Sequence, residues 1–141
     1  IARRARKLFG GALRQAGIVA AAAVYALEHN IQRLVEDHEN ARAFAEAIAG
    51  ADGIQIDPAD VESNLVFFEV DPELGNAAQL GGRILERGLK VGAMGPQRLR
   101  ACTHLDINRE EVLQAAEIVR ECVAEGFEDM VGAASGPYAR G

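Results

Sequence analysis

The stretch QRLRACTHLD, residues 97–106, alternates side chains with the two-residue period of a β-strand. One face of this predicted strand carries Arg98, Arg100, Cys102 and His104. The opposite face carries Leu99, Ala101, Thr103 and Leu105. A guanidinium binds a carboxylate or phosphate through two parallel charged hydrogen bonds. The cationic face therefore points at bulk water, at an anionic surface, or at a small anionic ligand held in a cleft.

The composition of the chain limits the functions that this face could have. The chain has 141 residues, of which 49% are hydrophobic and 26% charged, as is typical of one soluble globular domain. The formal net charge is −6, yet residues 1–14 hold five basic groups and no acid. The remaining residues hold ten basic against 21 acidic groups. This balance argues against a nucleic-acid-binding surface along the whole chain.

The sequence shows no sign of a metal site, a disulfide framework or a membrane span. Cys102 and Cys122 are too few for a disulfide framework, no Cys/His cluster has ligand spacing, and we expect both thiols to be small buried side chains. The longest apolar run, AGIVAAAAVYAL at 16–27, has 12 residues where a bilayer needs about 20. We expect a cytoplasmic protein. The chain begins at Ile1 without methionine, which suggests a piece of a longer polypeptide.

The first 50 residues read as helices. The spacing predicts a basic helix over 1–9 that ends at Gly10 and Gly11, and a second from about Leu13 to Glu28. A third is predicted from about 31 to 49. Its apolar stripe contains Ile31, Leu34, Val35, His38, Ala41, Ala45 and Ile48, and its polar face Glu36, Asp37, Glu39, Arg42 and Glu46. We expect His38 to be a hydrogen-bonded core residue rather than a catalyst.

After Gly50 the pattern indicates a two-layer α+β unit. Strands are predicted at 54–57, 64–70, 90–92 and 98–104. Asn76 with Gln79, and Asn108 with Glu111, have capping-box spacing, so a helix should begin after each asparagine. The first should end at Gly88 after burying Leu80, Ile84 and Leu85, and the second should bury Val112, Leu113, Ala116, Val119, Cys122 and Val123. The fold class is therefore α/β, with a small α+β domain in the second half.

Three segments resemble one enzyme family. GGALRQAGIVAAAAVYALEHN (10–30), LVEDHENA (34–41) and RACTHLDINREEV (100–112) are similar to the C-terminal part of the low-specificity L-threonine aldolases. Those are pyridoxal-phosphate enzymes of fold type I, grouped with the β-eliminating lyases. The resemblance covers about residues 1–126, and GG-x-x-RQ-[AS]-G together with R-x-x-THLD makes it specific. Ala12 and Leu13 depart from the family, which commonly has a third glycine and a methionine there.

The resemblance implies a domain organisation and a missing cofactor attachment point. Residues 1–50 would be the helical segment that links the large and small domains, 51–126 the small C-terminal α+β domain, and 127–141 a flexible tail. The family's cofactor-binding lysine lies in a Ser-Lys-Gly segment of the large domain. Lys7 and Lys90 are the only lysines here, and neither lies in such a segment. No catalytic residue of this kind is therefore expected in the chain, and both lysines should be solvated.

The resemblance also gives roles to three residues. Arg100 matches the family arginine that binds the substrate α-carboxylate, although surface solvation is the usual state of an arginine. Arg14 would approach the cofactor phosphate or a neighbouring subunit's site, or else form an interface salt bridge. His104 would hold Arg100 in position without touching the substrate, or would only pack against its neighbours. Arg98 is expected to be solvated.

The implied reaction is the reversible cleavage of a β-hydroxy-α-amino acid, such as threonine or allo-threonine, to glycine and an aldehyde. The implied assembly is a homo-oligomer, a tetramer or dimer, that has a small-molecule amino acid substrate and binds neither nucleic acid nor membrane. The isolated piece should be inactive. The alternatives are another β-eliminating lyase or aminotransferase of the same fold, or a non-enzymatic module whose basic arm IARRARK binds phosphates.

Overall fold

The computed structural model describes residues 1–127. The chain forms two compact units, the first over Ile1–Leu34 and the second from Val35 onward. Phe127, the first residue of the predicted tail, is fully buried in the core of the second unit. The rest of that predicted tail, 128–141, lies outside the described residues.

The first unit contains two helices, α1 (Ala2–Leu8) and α2 (Ala16–His29). Gly10 has a φ of +79°, a conformation that glycine adopts without steric cost, and it follows the end of α1 as predicted. Helix α2 begins later than Leu13, because the Leu13 N–H donates to the Gly11 carbonyl in a turn. None of the residues of α2 is buried, although the helix is apolar on every side.

The second unit is an antiparallel sheet with helices packed on one face. Its helices are α3 (Leu34–Ile48), α4 (Ala77–Glu86) and α5 (Arg109–Glu125), with a short 3₁₀ turn at Pro58–Asp60. Its strands are β1 (Ile54–Gln55), β2 (Leu65–Val70), β3 (Gly92–Ala93) and β4 (Arg98–Cys102). The strand order is β1-β2-β4-β3, and every pair is antiparallel. The predicted small α+β unit is thus confirmed.

Alternation along the two central strands builds the core. Val66, Phe68 and Val70 of β2 and Leu99 of β4 are buried. They share one hydrophobic cluster with residues of all three helices: Ala41, Phe44, Ala45 and Ile48 of α3, Leu80 and Ile84 of α4, and Val112, Ala116, Val119, Cys122 and Val123 of α5. Because successive side chains of a strand point to opposite faces, the residues between these core positions point away from the helices.

Helix α3 buries only the C-terminal part of the predicted stripe, Ala41, Ala45 and Ile48. Ile31, Leu34, Val35 and His38 are exposed, so the prediction that His38 lies in the core is wrong. The buried face also contains Asp37, Asn40, Ala43 and Phe44. Two polar residues lie on this face: the Asp37 backbone carbonyl accepts from the Thr103 hydroxyl, and Asn40 Oδ1 accepts from Arg109 at 3.4 Å, while Asn40 Nδ2 has no hydrogen-bond partner among residues 1–127.

Three further side chains that were expected to be buried are exposed. Leu85 and Leu113 lie one position beyond the buried residues Ile84 and Val112, which already occupy the inward stripes of their helices. Cys102 is exposed because it lies on the outer face of β4, whereas Cys122 is buried as predicted.

Both predicted capping boxes are present. The Asn76 side chain accepts from the Gln79 N–H, and the Gln79 side chain accepts in return from the Asn76 N–H, each at 3.0 Å. Asn108 and Glu111 repeat this arrangement at 3.0 and 2.9 Å. The two boxes fix where α4 and α5 begin, and hence which faces of these helices meet the sheet.

Replacing the cap of α5 tests this local control of the fold. Asn108→Ala removes the acceptor for the Glu111 N–H and should lower the free energy of unfolding by about 1 kcal/mol. Asn108→Asp keeps an acceptor at the same position and should lose at most a few tenths of that amount. Urea unfolding followed by circular dichroism measures both variants, and equal losses would contradict the capping assignment.

Candidate anion-binding face of the sheet

The outer face of the sheet is formed by residues directly opposite one another on β2 and β4. The register pairs Leu65 with Cys102, Phe67 with Arg100 and Glu69 with Arg98. Directly opposed residues of antiparallel strands point to the same face, so these six side chains are neighbours. All six are exposed. The outward orientation predicted for Arg98, Arg100 and Cys102 is therefore confirmed, and Leu65, Phe67 and the acidic Glu69 lie beside them, whereas His104 lies beyond the end of β4.

Arg100 lies at the centre of this face. Strand β4 is hydrogen-bonded on both sides, with Phe67 of β2 opposite Arg100 on one side and Gly92 of β3 opposite it on the other. A Cβ added at Gly92 would come no closer than 3.9 Å to the nearest atom, the Arg100 carbonyl oxygen, which is an ordinary contact. The backbone therefore does not require glycine at this position. Its missing side chain leaves open space beside Arg100.

The neighbouring arginine is engaged by an aromatic ring. The guanidinium carbon of Arg98 lies 4.9 Å from the centroid of the Phe67 ring, within the range of a cation–π contact. Arg98 therefore packs across the strand onto Phe67 on the exposed face. Arg98 is exposed as predicted, but one side of its guanidinium lies against the Phe67 ring rather than in water.

The Arg100 side chain has no hydrogen bond or ion pair with any of residues 1–127. Arg87 shows the contrasting state, because its guanidinium contacts Glu121 at 2.5 Å and also Glu125. The hydrogen bond from Arg87 holds the pKa of the Glu125 carboxyl below its usual value. Arg100 thus offers a free planar guanidinium on a rigid strand, the arrangement that suits a carboxylate or phosphate.

Arg100 is exposed on this face. The described residues include clefts of about 300, 250 and 210 Å³, and Arg100 lines none of these three. A ligand held by Arg100 would therefore not lie in any of these three clefts.

The other two predicted site residues have different surroundings. Arg14 is exposed in the first unit, two residues before α2 begins. His104 lies in the turn after β4, where its Nδ1 accepts from the Asp106 N–H at 3.3 Å and its carbonyl accepts from the Ile107 N–H. Neither contact reaches Arg100, so a supporting role for His104 stays a prediction.

Sequence reasoning missed the two neighbours that shape the face. The alternation in LVFFEV points Phe67 outward, but only the strand register places it opposite Arg100. Gly92 gave no signal, since a glycine near a short edge strand is unremarkable.

Lys7 and Lys90 are both exposed, as expected. Within residues 1–127, no group of three or more His, Cys, Asp or Glu side chains is placed to hold a metal ion. Over the same range, every helix is too short or too polar to cross a bilayer.

Comparison with known proteins decides the family. The family model described as beta-eliminating lyase matches residues 1–71, half of the chain. The chain belongs to the beta-eliminating lyase family. This agrees with the family resemblance that the motifs indicated.

Two relatives illustrate that resemblance. The low specificity L-threonine aldolase of Escherichia coli K12 is 44% identical over 115 residues, which are 80% of this chain and 32% of the relative. The low-specificity L-threonine aldolase 1 of Arabidopsis thaliana is 33% identical over 112 residues, which are 79% of this chain and 31% of the relative. The chain thus spans about a third of the length of these relatives.

A solved structure shows the fold. The structure of MppP soaked with the product 2-ketoarginine superposes with a TM-score of 0.56 at 11% sequence identity, covering 70% of this chain and 30% of that one. The predicted fold class, an α/β fragment of fold type I with a small α+β unit, is thus confirmed.

Chemical modification tests the free state of Arg100. Phenylglyoxal should modify Arg100 several-fold faster than Arg87, because an unpaired exposed guanidinium reacts without first breaking an ion pair. Tandem mass spectrometry of peptides from the 141-residue chain gives the rate at each arginine. The variant Arg100→Lys removes the fast site and serves as the control. Equal rates at the two positions would contradict the conclusion that Arg100 is unpaired and Arg87 is paired.

Proposed function

We propose that this chain is the small-domain part of a pyridoxal-phosphate-dependent aldolase that cleaves threonine or allo-threonine type β-hydroxy-α-amino acids to glycine and an aldehyde. The relatives named as low-specificity L-threonine aldolases support this proposal, at up to 44% identity. The observation that carries it is the unpaired, exposed guanidinium of Arg100 at the centre of the sheet face.

Arg100 would hold the substrate α-carboxylate through two parallel charged hydrogen bonds. Holding the carboxylate fixes rotation about the bond between the amino nitrogen and Cα, so the Cα–Cβ bond is presented in one orientation. Pyridoxal phosphate, when bound, supplies the electron sink that stabilises the carbanion left at Cα. Lysine would bind the carboxylate less directionally, since its ammonium is a point charge.

The chain's own residues fit one part of this chemistry. They provide a carboxylate ligand, whereas Lys7 and Lys90 are exposed and belong to no Ser-Lys-Gly segment. The attachment lysine and the base that takes the substrate hydroxyl proton would then belong to the two thirds of the relatives' length that this chain does not span. Surfaces that enclose a ligand at Arg100 would come from the same source or from a neighbouring subunit.

The remaining assignments belong to the same proposal. Residues 1–50 would link the large and small domains, 51–126 would form the small domain together with the buried Phe127, and the rest of the predicted tail 127–141 would follow it. Arg14 would contact the cofactor phosphate or a neighbouring subunit's site, with an interface salt bridge as the alternative. His104 would support Arg100 through its turn. The assembly would be a cytoplasmic homo-oligomer, a tetramer or dimer.

Two arginines on one strand provide a matched test. In the complete gene product, Arg100→Lys should raise the KM for threonine about 10- to 100-fold, because a charged bidentate contact is lost. The absorbance of the bound cofactor should not change. Arg98→Lys alters the same face of the same strand but should change KM less than about twofold.

The outcome separates the candidate functions. An unchanged KM in Arg100→Lys would remove Arg100 from the site. Analysis of the products distinguishes the enzymes. An aldolase releases glycine and an aldehyde, whereas another lyase or an aminotransferase gives ammonia or an oxo acid. A filter-binding titration against salt tests the basic-arm alternative, which requires phosphate-dependent affinity that falls steeply as salt rises.

A further inference from the structure

The end of strand β4, just beyond Arg100, is held by reciprocal hydrogen bonds with the start of β2. The Thr103 N–H donates to the Asn64 carbonyl at 3.0 Å, and the Asn64 side-chain amide donates to the Thr103 carbonyl at 2.8 Å. The same amide lies 3.3 Å from Cys102 Sγ. One asparagine side chain therefore binds the backbone of β4 immediately after its last paired residue.

The Thr103 side chain attaches this point to a helix. Its hydroxyl donates to the Asp37 carbonyl in the first turn of α3 at 2.6 Å. Thr103 is 6% exposed and Asp37 is 4% exposed, so water does not compete for this bond. We refer to the hydrogen bonds of Thr103 with Asn64 and Asp37 as the Thr103 clamp.

The clamp lies where β4 has lost its neighbour on one side. Strand β3 pairs with β4 only at Leu99 and Arg100, so within residues 1–127 its pairing ends before Cys102. Beyond Arg100, which still pairs with Gly92, β4 is held by β2 alone on one edge and by the clamp at its end. Thr103 lies three residues, or about 10 Å of strand, beyond Arg100, so a shift of Thr103 reaches Arg100 along the backbone.

We propose that the Thr103 clamp is a positioning device for Arg100, and that Thr103 and Asn64 set the angle at which the guanidinium meets an anionic substrate group. This inference rests on the proposed function of Arg100 as the carboxylate ligand. Productive binding requires such a group to be held within about 0.5 Å, and a displacement of about 1 Å can cost roughly 100-fold in rate. Arg100 lies on an exposed face, so its own side-chain contacts do not supply this restraint.

The core alone would not require a hydroxyl at this position. Valine has nearly the same shape as threonine and would keep the apolar contacts of a buried side chain, but it cannot donate to Asp37. We therefore expect Thr103→Val to weaken ligand binding through the lost hydrogen bond rather than through a change in side-chain shape.

A double-mutant cycle in the complete gene product tests the inference. The variants are Thr103→Val, Thr103→Ser, Arg100→Ala and the double variant Thr103→Val/Arg100→Ala. The readout is the Kd for glycine from calorimetry, together with the KM for threonine. Thr103→Val should weaken glycine binding roughly five- to tenfold, and Thr103→Ser should bind within about twofold of the parent. In the Arg100→Ala background, Thr103→Val should have no further effect, because residues that act through one group are not additive.

A stability control separates positioning from general loosening of the fold. Asn76→Ala removes the capping box of α4 and should lower the melting temperature while leaving the Kd for glycine unchanged. If Thr103→Val is not recovered folded, Asn64→Ser removes the side-chain bond to the Thr103 carbonyl and should show the same dependence on Arg100.

The results distinguish failure of the inference from failure of the proposed function. If Arg100→Ala does not weaken glycine binding, the proposed function falls. If Arg100→Ala weakens binding but Thr103→Val leaves it unchanged, or weakens it equally in both backgrounds, the clamp is structural only and the inference is overturned. Failure of Thr103→Ser to restore binding would also overturn it.

Discussion

The burial of one face of the sheet against the helices determines which way Arg100 points. Leu99 is fully buried and Ala101 is half-buried, so strand alternation directs the side chain between them to the opposite face. A slip of one residue in the β2–β4 register would bury the guanidinium and expose Leu99. Removing a free charge from water is very costly, and exposing Leu99 would add to that cost. The orientation of the candidate ligand is therefore a consequence of core packing rather than of any contact that Arg100 makes itself.

The local signals in the sequence predicted most of the second unit. Both capping boxes, the alternation in β2 and β4 and the outward direction of Arg100 depend on neighbours within a few residues. The prediction for α3 failed only in its first turns, where long-range packing decides: Asp37, whose carbonyl accepts from Thr103 66 residues away, is buried, whereas His38 is exposed. Phe67 and Gly92 could not be assigned to the face, because strand register depends on pairing across the sheet. Hydrophobicity alone misplaced Leu85, Leu113 and Cys102, each of which is apolar but lies beside a buried neighbour rather than on the buried face.

Three arginines of the second unit show how position selects the role of one side chain. Arg87 extends from the end of α4 to two carboxylates of α5 and acts as a surface cross-link, which adds little stability where solvent screens the charges. Arg98 packs over an aromatic ring. Arg100 has a phenylalanine and a glycine opposite it, neither of which accepts a hydrogen bond through its side chain. Because neither neighbour can pair with it, the Arg100 guanidinium stays available for a ligand. The composition of β4 alone could not show this, since both neighbours lie on other strands.

The two units each present a surface of a kind that proteins normally cover. In the second unit it is the exposed face that carries Arg100, whose side chain has no partner among residues 1–127. In the first it is α2, whose residues 16–27 carry no charge and of which none is buried. A helix that is apolar all round is normally found inside a protein, since each large aliphatic side chain gains about 1.5–3 kcal/mol on burial. The apolar surface of α2 and the exposed guanidinium of Arg100 are therefore each expected to be covered in the functional protein.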